Sequence, residues 1–180
     1  MRSPRIQPDQ LPCIVAVDPG KDGGVCQLWP DEQQLYKMPS TEVDRLELMS
    51  DVCAEAHLVI IEKVSEMPGQ RGMFNFGMGY GTLRAVPLLA KIPLHEVTAT
   101  KWQKEFVSPL PMPKKPDMSG MTKDETKEAL RLHKNKLGQR QTKHKKRLLE
   151  AAQRLFPHHK LTLKTCDALL IAEYARRTVK

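Results

Sequence analysis

Cys13-Ile-Val-Ala-Val-Asp-Pro-Gly-Lys-Asp-Gly-Gly-Val25 begins as an unbroken run of small and β-branched apolar residues. Such a run, Ile14 to Val17, suits a strand buried on both faces. It closes on Asp18, and Pro19-Gly20 then turns the chain. A second apolar run, Val25 to Trp29, follows Gly23-Gly24, so the two read as a hairpin. Asp18 is left at the end of a central strand, beside a core and with no cation next to it in sequence. A buried carboxylate without a partner is costly, and such groups are usually paired or bound to metal. An Asp-Pro-Gly turn former explains the same residue, and on this stretch alone the two readings weigh about evenly.

Downstream, a third short strand around Gln34 to Lys37 completes a meander. Thr41 then caps a helix in which Val43, Leu46, Met49, Val52 and Cys53 recur at three- and four-residue spacing. The next apolar run, His57-Leu-Val-Ile-Ile-Glu62, also closes on an acid. Strand, helix, strand in this order implies a right-handed crossover that sets the new strand parallel to the first. Asp18 and Glu62 then end neighbouring parallel strands at one sheet edge, where sites form in open α/β sheets. Two carboxylates so placed repel unless a cation lies between them or one is protonated. Hard divalent ions such as Mg2+ take carboxylate oxygens. A strand-end acid reaching water accounts for Glu62 alone; paired with Asp18, it favours a metal.

The 180 residues suffice for one domain with a real core. No stretch is long and apolar enough to span a bilayer, and no signal sequence is visible. Cys13, Cys26, Cys53 and Cys166 lie in or beside apolar runs without a CxxC spacing, as core thiols do in a reducing compartment. These features lead to the expectation of a soluble, cytoplasmic protein. The net charge of +8 is concentrated: between Val107 and Arg147 twelve Lys and Arg face four Asp and Glu, an excess equal to that of the whole chain. A solvated loop would account for a charge run, but a neutral body carrying a basic arm points to a polyanionic partner.

Residues 1–12 read as a flexible leader and 13–177 as a single domain, with a basic Pro/Lys-rich insertion at about 107–142. The glycine-rich stretch Met67 to Gly81 reads as a loop entering a helix and lacks the GK[ST] ending of a P-loop. Phe74 and Phe76 could wedge between bases or pack at the start of the helix, the second being the stronger reading for Phe76. Leu94 to Val97 is a fifth strand, Thr98 or Thr100 caps a short helix, and its Trp102 reads as core. Lys123 to Lys136 and Lys143 to Phe156 read as two helices, the second stopped by Pro157. In the last helix, Thr165 to Ala175, Asp167 suits the positive end of the dipole; a third carboxylate aimed at the strand-end pair is the sharper reading.

The motifs VAVDPGKDGGV, VIIEKV, FGMGYGTLRAV, VTATKWQKEF, KHKKRLLEAAQRLFP and DALLIAEYARR occur in one order from Val15 to Arg177. In these the chain resembles the RuvC-like Holliday-junction resolvases of the ribonuclease H-like superfamily, particularly their phage and organellar relatives. The resemblance implies an α/β fold with a mixed five-stranded sheet flanked by helices. It also implies a homodimer that resolves four-way DNA junctions by paired nicking with Mg2+ or Mn2+. It makes Asp18, Glu62 and Asp167 metal ligands and puts a catalytic lysine at Lys145, with Lys146 and Lys143 as other registers. Met73 and Phe74 match its junction-opening wedge; outside the resemblance, the charge of the run from Lys114 to Arg147 makes Lys114, Lys115, Lys143, Lys146 and Arg147 the candidates to track phosphate backbone. The chain departs from the pattern where a fourth acid or a histidine is usual: Leu163 and Lys164 stand there. Glu66 or His159 could substitute only by folding nearby. The alternatives are a branched-DNA binding protein that does not cut, and a nuclease acting on RNA–DNA hybrids.

Overall fold

The structure, a computed structural model, describes residues 12–64 and 72–179. Residues 1–11 of the leader, and Glu66 with the beginning of the glycine-rich stretch after it, lie outside the described residues. Five strands form a single sheet: β1 (Cys13–Asp18), β2 (Gly24–Leu28), β3 (Gln33–Lys37), β4 (Ala56–Glu62) and β5 (Leu94–Val97). Their spatial order is β3-β2-β1-β4-β5, with the first three antiparallel and β1, β4 and β5 parallel. This is the mixed sheet and the crossover expected from the apolar runs.

The alternation of side chains along β1 and β4 divides the core in two. Val15, Val17, Val59 and Ile61 face α1 (Glu42–Cys53) and α2 (Met73–Leu89), where Met49, Val52 and Leu83 meet them. Ala16 and Ile60 face the opposite layer, built from α3 (Ala99–Gln103), α4 (Lys123–Leu155) and α5 (Cys166–Thr178). The centre of that layer is α5, buried from Cys166 to Ala175 apart from Asp167. Its Glu173 is 3% exposed and bonds both Arg176 and Arg177, at 2.7 and 2.6 Å. Because both arginines keep one side to solvent, Glu173→Ala is expected to destabilise the fold by about 1–3 kcal/mol, read from urea unfolding.

The two helices expected over 123–156 are one. Thr122 and Glu125 form a capping box that starts α4, and the helix runs unbroken for 33 residues. Nothing between Leu137 and Thr142 stops it: there is no proline, and an interior glycine costs only about 1 kcal/mol relative to alanine. Only its C-terminal part enters the core, through Leu148, Ala151 and Ala152. The segment 108–118 forms neither helix nor strand and is tied to α4 by Arg140 and Arg147, with Leu110, Pro113 and Pro116 half-buried at three-residue spacing.

Candidate active site

β1 and β4 pair in parallel up to Val17 opposite Ile61, so Asp18 and Glu62 follow as neighbours at the sheet edge. Each is two residues beyond a side chain of the α5 layer, Ala16 and Ile60, so both carboxyl groups turn towards that layer. There α5 begins, packed on β1 and β2, and Asp167 lies in its first turn. The three acids, far apart along the chain, thus converge on one edge.

Each acid is partly tied down. Asp18 Oδ1 accepts the Gly20 N–H at 3.1 Å, and Glu62 Oε2 accepts the Trp102 indole N–H at 2.7 Å. Asp167 Oδ1 accepts from the Cys166 thiol at 3.4 Å. The second oxygen of each makes no protein hydrogen bond among the described residues. Gly23 is required by close approach: a Cβ there would stand 2.3 Å from the Asp18 carbonyl oxygen and 2.6 Å from its carboxyl carbon.

Electrostatics register the convergence. Burial, reinforced by Asp18 and Asp167 and opposed by Trp102 and Lys145, pushes the Glu62 carboxyl up to about 7. Burial and then Asp18 raise Asp167 to about 6, against the Cys166 hydrogen bond and Lys145. Burial raises Asp18 as well, opposed by the Gly20 N–H and Lys145. Lys145 is therefore the lysine of α4 whose charge reaches all three acids, whereas Lys143 and Lys146 are exposed on other sides of the helix. Among the described residues no three His, Cys, Asp or Glu side chains stand close enough to hold a metal ion as they are. The donor set nevertheless suits a hard divalent ion: carboxylate oxygens, one of each acid free of protein partners.

Other residues singled out in the sequence are dispersed. Met73 and Phe74 open α2, whose first turn lies at the edge where β4 ends because α2 crosses back to the parallel β5; Phe74 is 79% exposed. Phe76 is half-buried. Lys114 and Lys115 are exposed on the segment 108–118, and Arg147 donates to the Ser108 carbonyl at 2.9 Å. Lys164, at the place of the missing fourth acid, pairs with Asp22 in the β1–β2 turn at 2.7 Å. His159 does not substitute. It bonds Gln33, which faces Leu28, which faces Ile14, at the opposite end of the sheet from Asp18. Trp102, fully buried, is core as expected, but its bond to Glu62 was not legible in the sequence. The motif VTATKWQKEF marked the stretch without distinguishing an indole that packs from one that also donates.

Among solved structures, the chain is similar to Thermus thermophilus RuvC in complex with a Holliday junction substrate. The identity is 11%, the match covers 93% of this chain and 96% of that one, and the TM-score is 0.53. A second Thermus thermophilus RuvC structure matches at 12% identity over 92% and 95% of the two chains, with a TM-score of 0.50. These likenesses show a RuvC-like fold of the ribonuclease H-like kind. No protein-family model matches the chain. No curated protein matches it in sequence.

Proposed function

We propose that the protein is a metal-dependent, structure-selective DNA endonuclease that nicks four-way junctions in pairs as a homodimer. The observation that carries the reading is the convergence of Asp18, Glu62 and Asp167 on one sheet edge under the charge of Lys145, beside the segment that holds the whole positive excess. The fold shared with a RuvC bound to a Holliday junction supports the same substrate class.

Divalent ions, Mg2+ or Mn2+, held by the three carboxylates would supply an activated water and stabilise the leaving 3′ oxygen of a phosphodiester. The chain's own groups do the rest. Trp102 holds one Glu62 oxygen so that the other is presented to the site. Gly20 orients Asp18 in the same way. Lys145 offsets negative charge building on the scissile phosphate. Lys114, Lys115, Lys143 and Lys146 stand exposed to contact phosphates around it, and Phe74, unburied at the same edge, can wedge into the junction centre.

A two-fold protein matches a two-fold substrate. Away from Phe74, an exposed stripe of α2 is lined by Met78 and Leu88, with Gly81 open between them and Leu89 83% exposed beside it. Exposed apolar surface of this kind marks an interface, and we assign the dimer to it. Gly81→Arg is expected to give a monomer by sedimentation velocity, with single in place of paired nicks.

The rival reading, a branched-DNA binder that does not cut, draws on Lys164 standing in place of an acid and on the carboxylates not being gathered into a coordination group. Incubating the protein with a labelled four-way junction and Mg2+ or Mn2+ separates the two. Paired, symmetry-related nicks support the endonuclease, tight binding without nicks supports the rival, and preference for RNA–DNA hybrid overturns both.

A further inference from the structure

The N-terminal half of α4 buries no side chain in the core, yet it is built to be stiff. Its half-buried positions, Thr126, Ala129, His133, Leu137, Arg140 and His144, fall on one side at three- and four-residue spacing. The segment before the helix ties down the base of the arm, where it joins the C-terminal half: Arg140 donates to the carbonyls of Leu110 and Pro111, at 2.7–3.1 Å, and Arg147 to that of Ser108. The capping box at Thr122 closes the far end.

A neighbouring face of the helix carries Lys127, Arg131, Lys134, Gly138, Gln141 and Lys145, at spacings of four and three and all exposed. It includes no acid. Arg131 leans onto Glu128 at 2.7 Å, an exposed pair too weak to hold it against a phosphate. At Gly138 a Cβ would meet nothing within 4 Å, so the space above the backbone is open. A glycine inside a helix costs about 1 kcal/mol relative to alanine, and close approach of a ligand's own backbone gives it a use. The face ends at Lys145, over the three acids. From Lys127 to Lys145 it runs about 27 Å, the length of about eight base pairs of duplex.

We propose that this braced arm is a duplex guide: its cationic face lies along the phosphates of one DNA arm leaving the site, so that tight binding requires about eight base pairs of duplex there. The inference rests on the nuclease reading for the position of the cut, but not for duplex binding itself. The full-length protein and its Lys127→Ala/Lys134→Ala variant, both changes on exposed side chains, are titrated by fluorescence anisotropy. The probes are four-way junctions with arms of about 5 and about 15 base pairs at several salt concentrations, where each lost phosphate contact lowers the salt slope by about one.

Wild-type affinity is expected to fall about tenfold or more on shortening the arms, while the variant's salt slope is shallower by about two and its affinity nearly indifferent to arm length. A variant that keeps the wild-type slope and arm-length dependence overturns the guide, as does a wild type indifferent to arm length. Nicking of the same probes is followed in parallel. Arm-length dependence without any nicking removes the nuclease and leaves the guide, whereas nicking without arm-length dependence removes the guide and leaves the nuclease.

Discussion

Asp18→Asn is expected to slow junction nicking by about a hundred- to a thousandfold or more, the scale of losing one preorganised charged group at a reacting centre, while junction affinity holds or rises. The two halves of that expectation have separate causes. Asn keeps the shape of Asp, so it still fits over Gly23 and still accepts the Gly20 N–H, and the β1–β2 turn is undisturbed. What it removes is one of three negative charges whose combined field would hold the cation. Affinity comes from elsewhere, from the segment carrying the +8 excess, and deleting a negative charge that faces a phosphate favours binding. Gel shift and cleavage of one labelled junction read both quantities. Undiminished nicking would move the chemistry away from this edge, whatever the rest of the fold resembles.

The sheet and its edge were legible because their determinants are local. Apolar runs at Ile14–Val17, Val25–Leu28 and Leu58–Ile61 leave little choice but buried strands, and one intervening helix makes the crossover parallel. Asp18 and Glu62 follow as neighbours from the topology alone. Asp167 needed more, since a first-turn acid is equally well explained by the helix dipole, and only the packing of α5 across β1 and β2 aims it inwards. Which of Lys143, Lys145 and Lys146 lies towards the acids was ambiguous because a basic run looks alike in every register; in the structure Lys145 is the one whose charge acts on all three.

The break expected between two basic helices does not occur, for the opposite reason. Polar composition from Leu137 to Thr142 resembles a loop, but it holds no proline to stop the helix, and the carbonyls that Arg140 and Arg147 reach lie 29 to 39 residues away along the chain. Trp102, Lys164 and His159 belong to the same class. Each has its partner in another element, Glu62, Asp22 and Gln33, and no spacing along the chain reveals such a pair.

The second large effect is on stability, and its sign follows from the direction of the pKa shifts. Glu62 rises from 4.5 to about 7 and Asp167 from 3.8 to about 6 on folding. Between about pH 4 and pH 7 the folded protein therefore binds more protons than the unfolded chain, and stability falls as pH rises across that window. The penalty is absent below it and complete above it, on the order of 3 kcal/mol for Glu62 alone, taken as a shared property of the coupled acids. His144 works against this trend: burial and the charges of Arg140 and Arg147 lower its pKa, so it favours the folded state as pH rises through the ordinary imidazole range. Comparison of wild type with Glu62→Gln isolates Glu62 and its coupling to the other two acids, because His144, Asp18 and Asp167 are common to both.

In chelator, the wild type should lose stability relative to Glu62→Gln between about pH 5 and about pH 8. Saturating Mg2+ or Mn2+ should restore about 2–3 kcal/mol at the upper pH in the wild type alone, through preferential binding to the folded state. Urea unfolding at both pH values, with and without the ion, gives all the terms, and it requires neither DNA nor turnover. Parallel pH profiles for the two proteins, unmoved by either ion, would mean that the carboxylates are independent surface acids and that the edge where they meet is not a cation site.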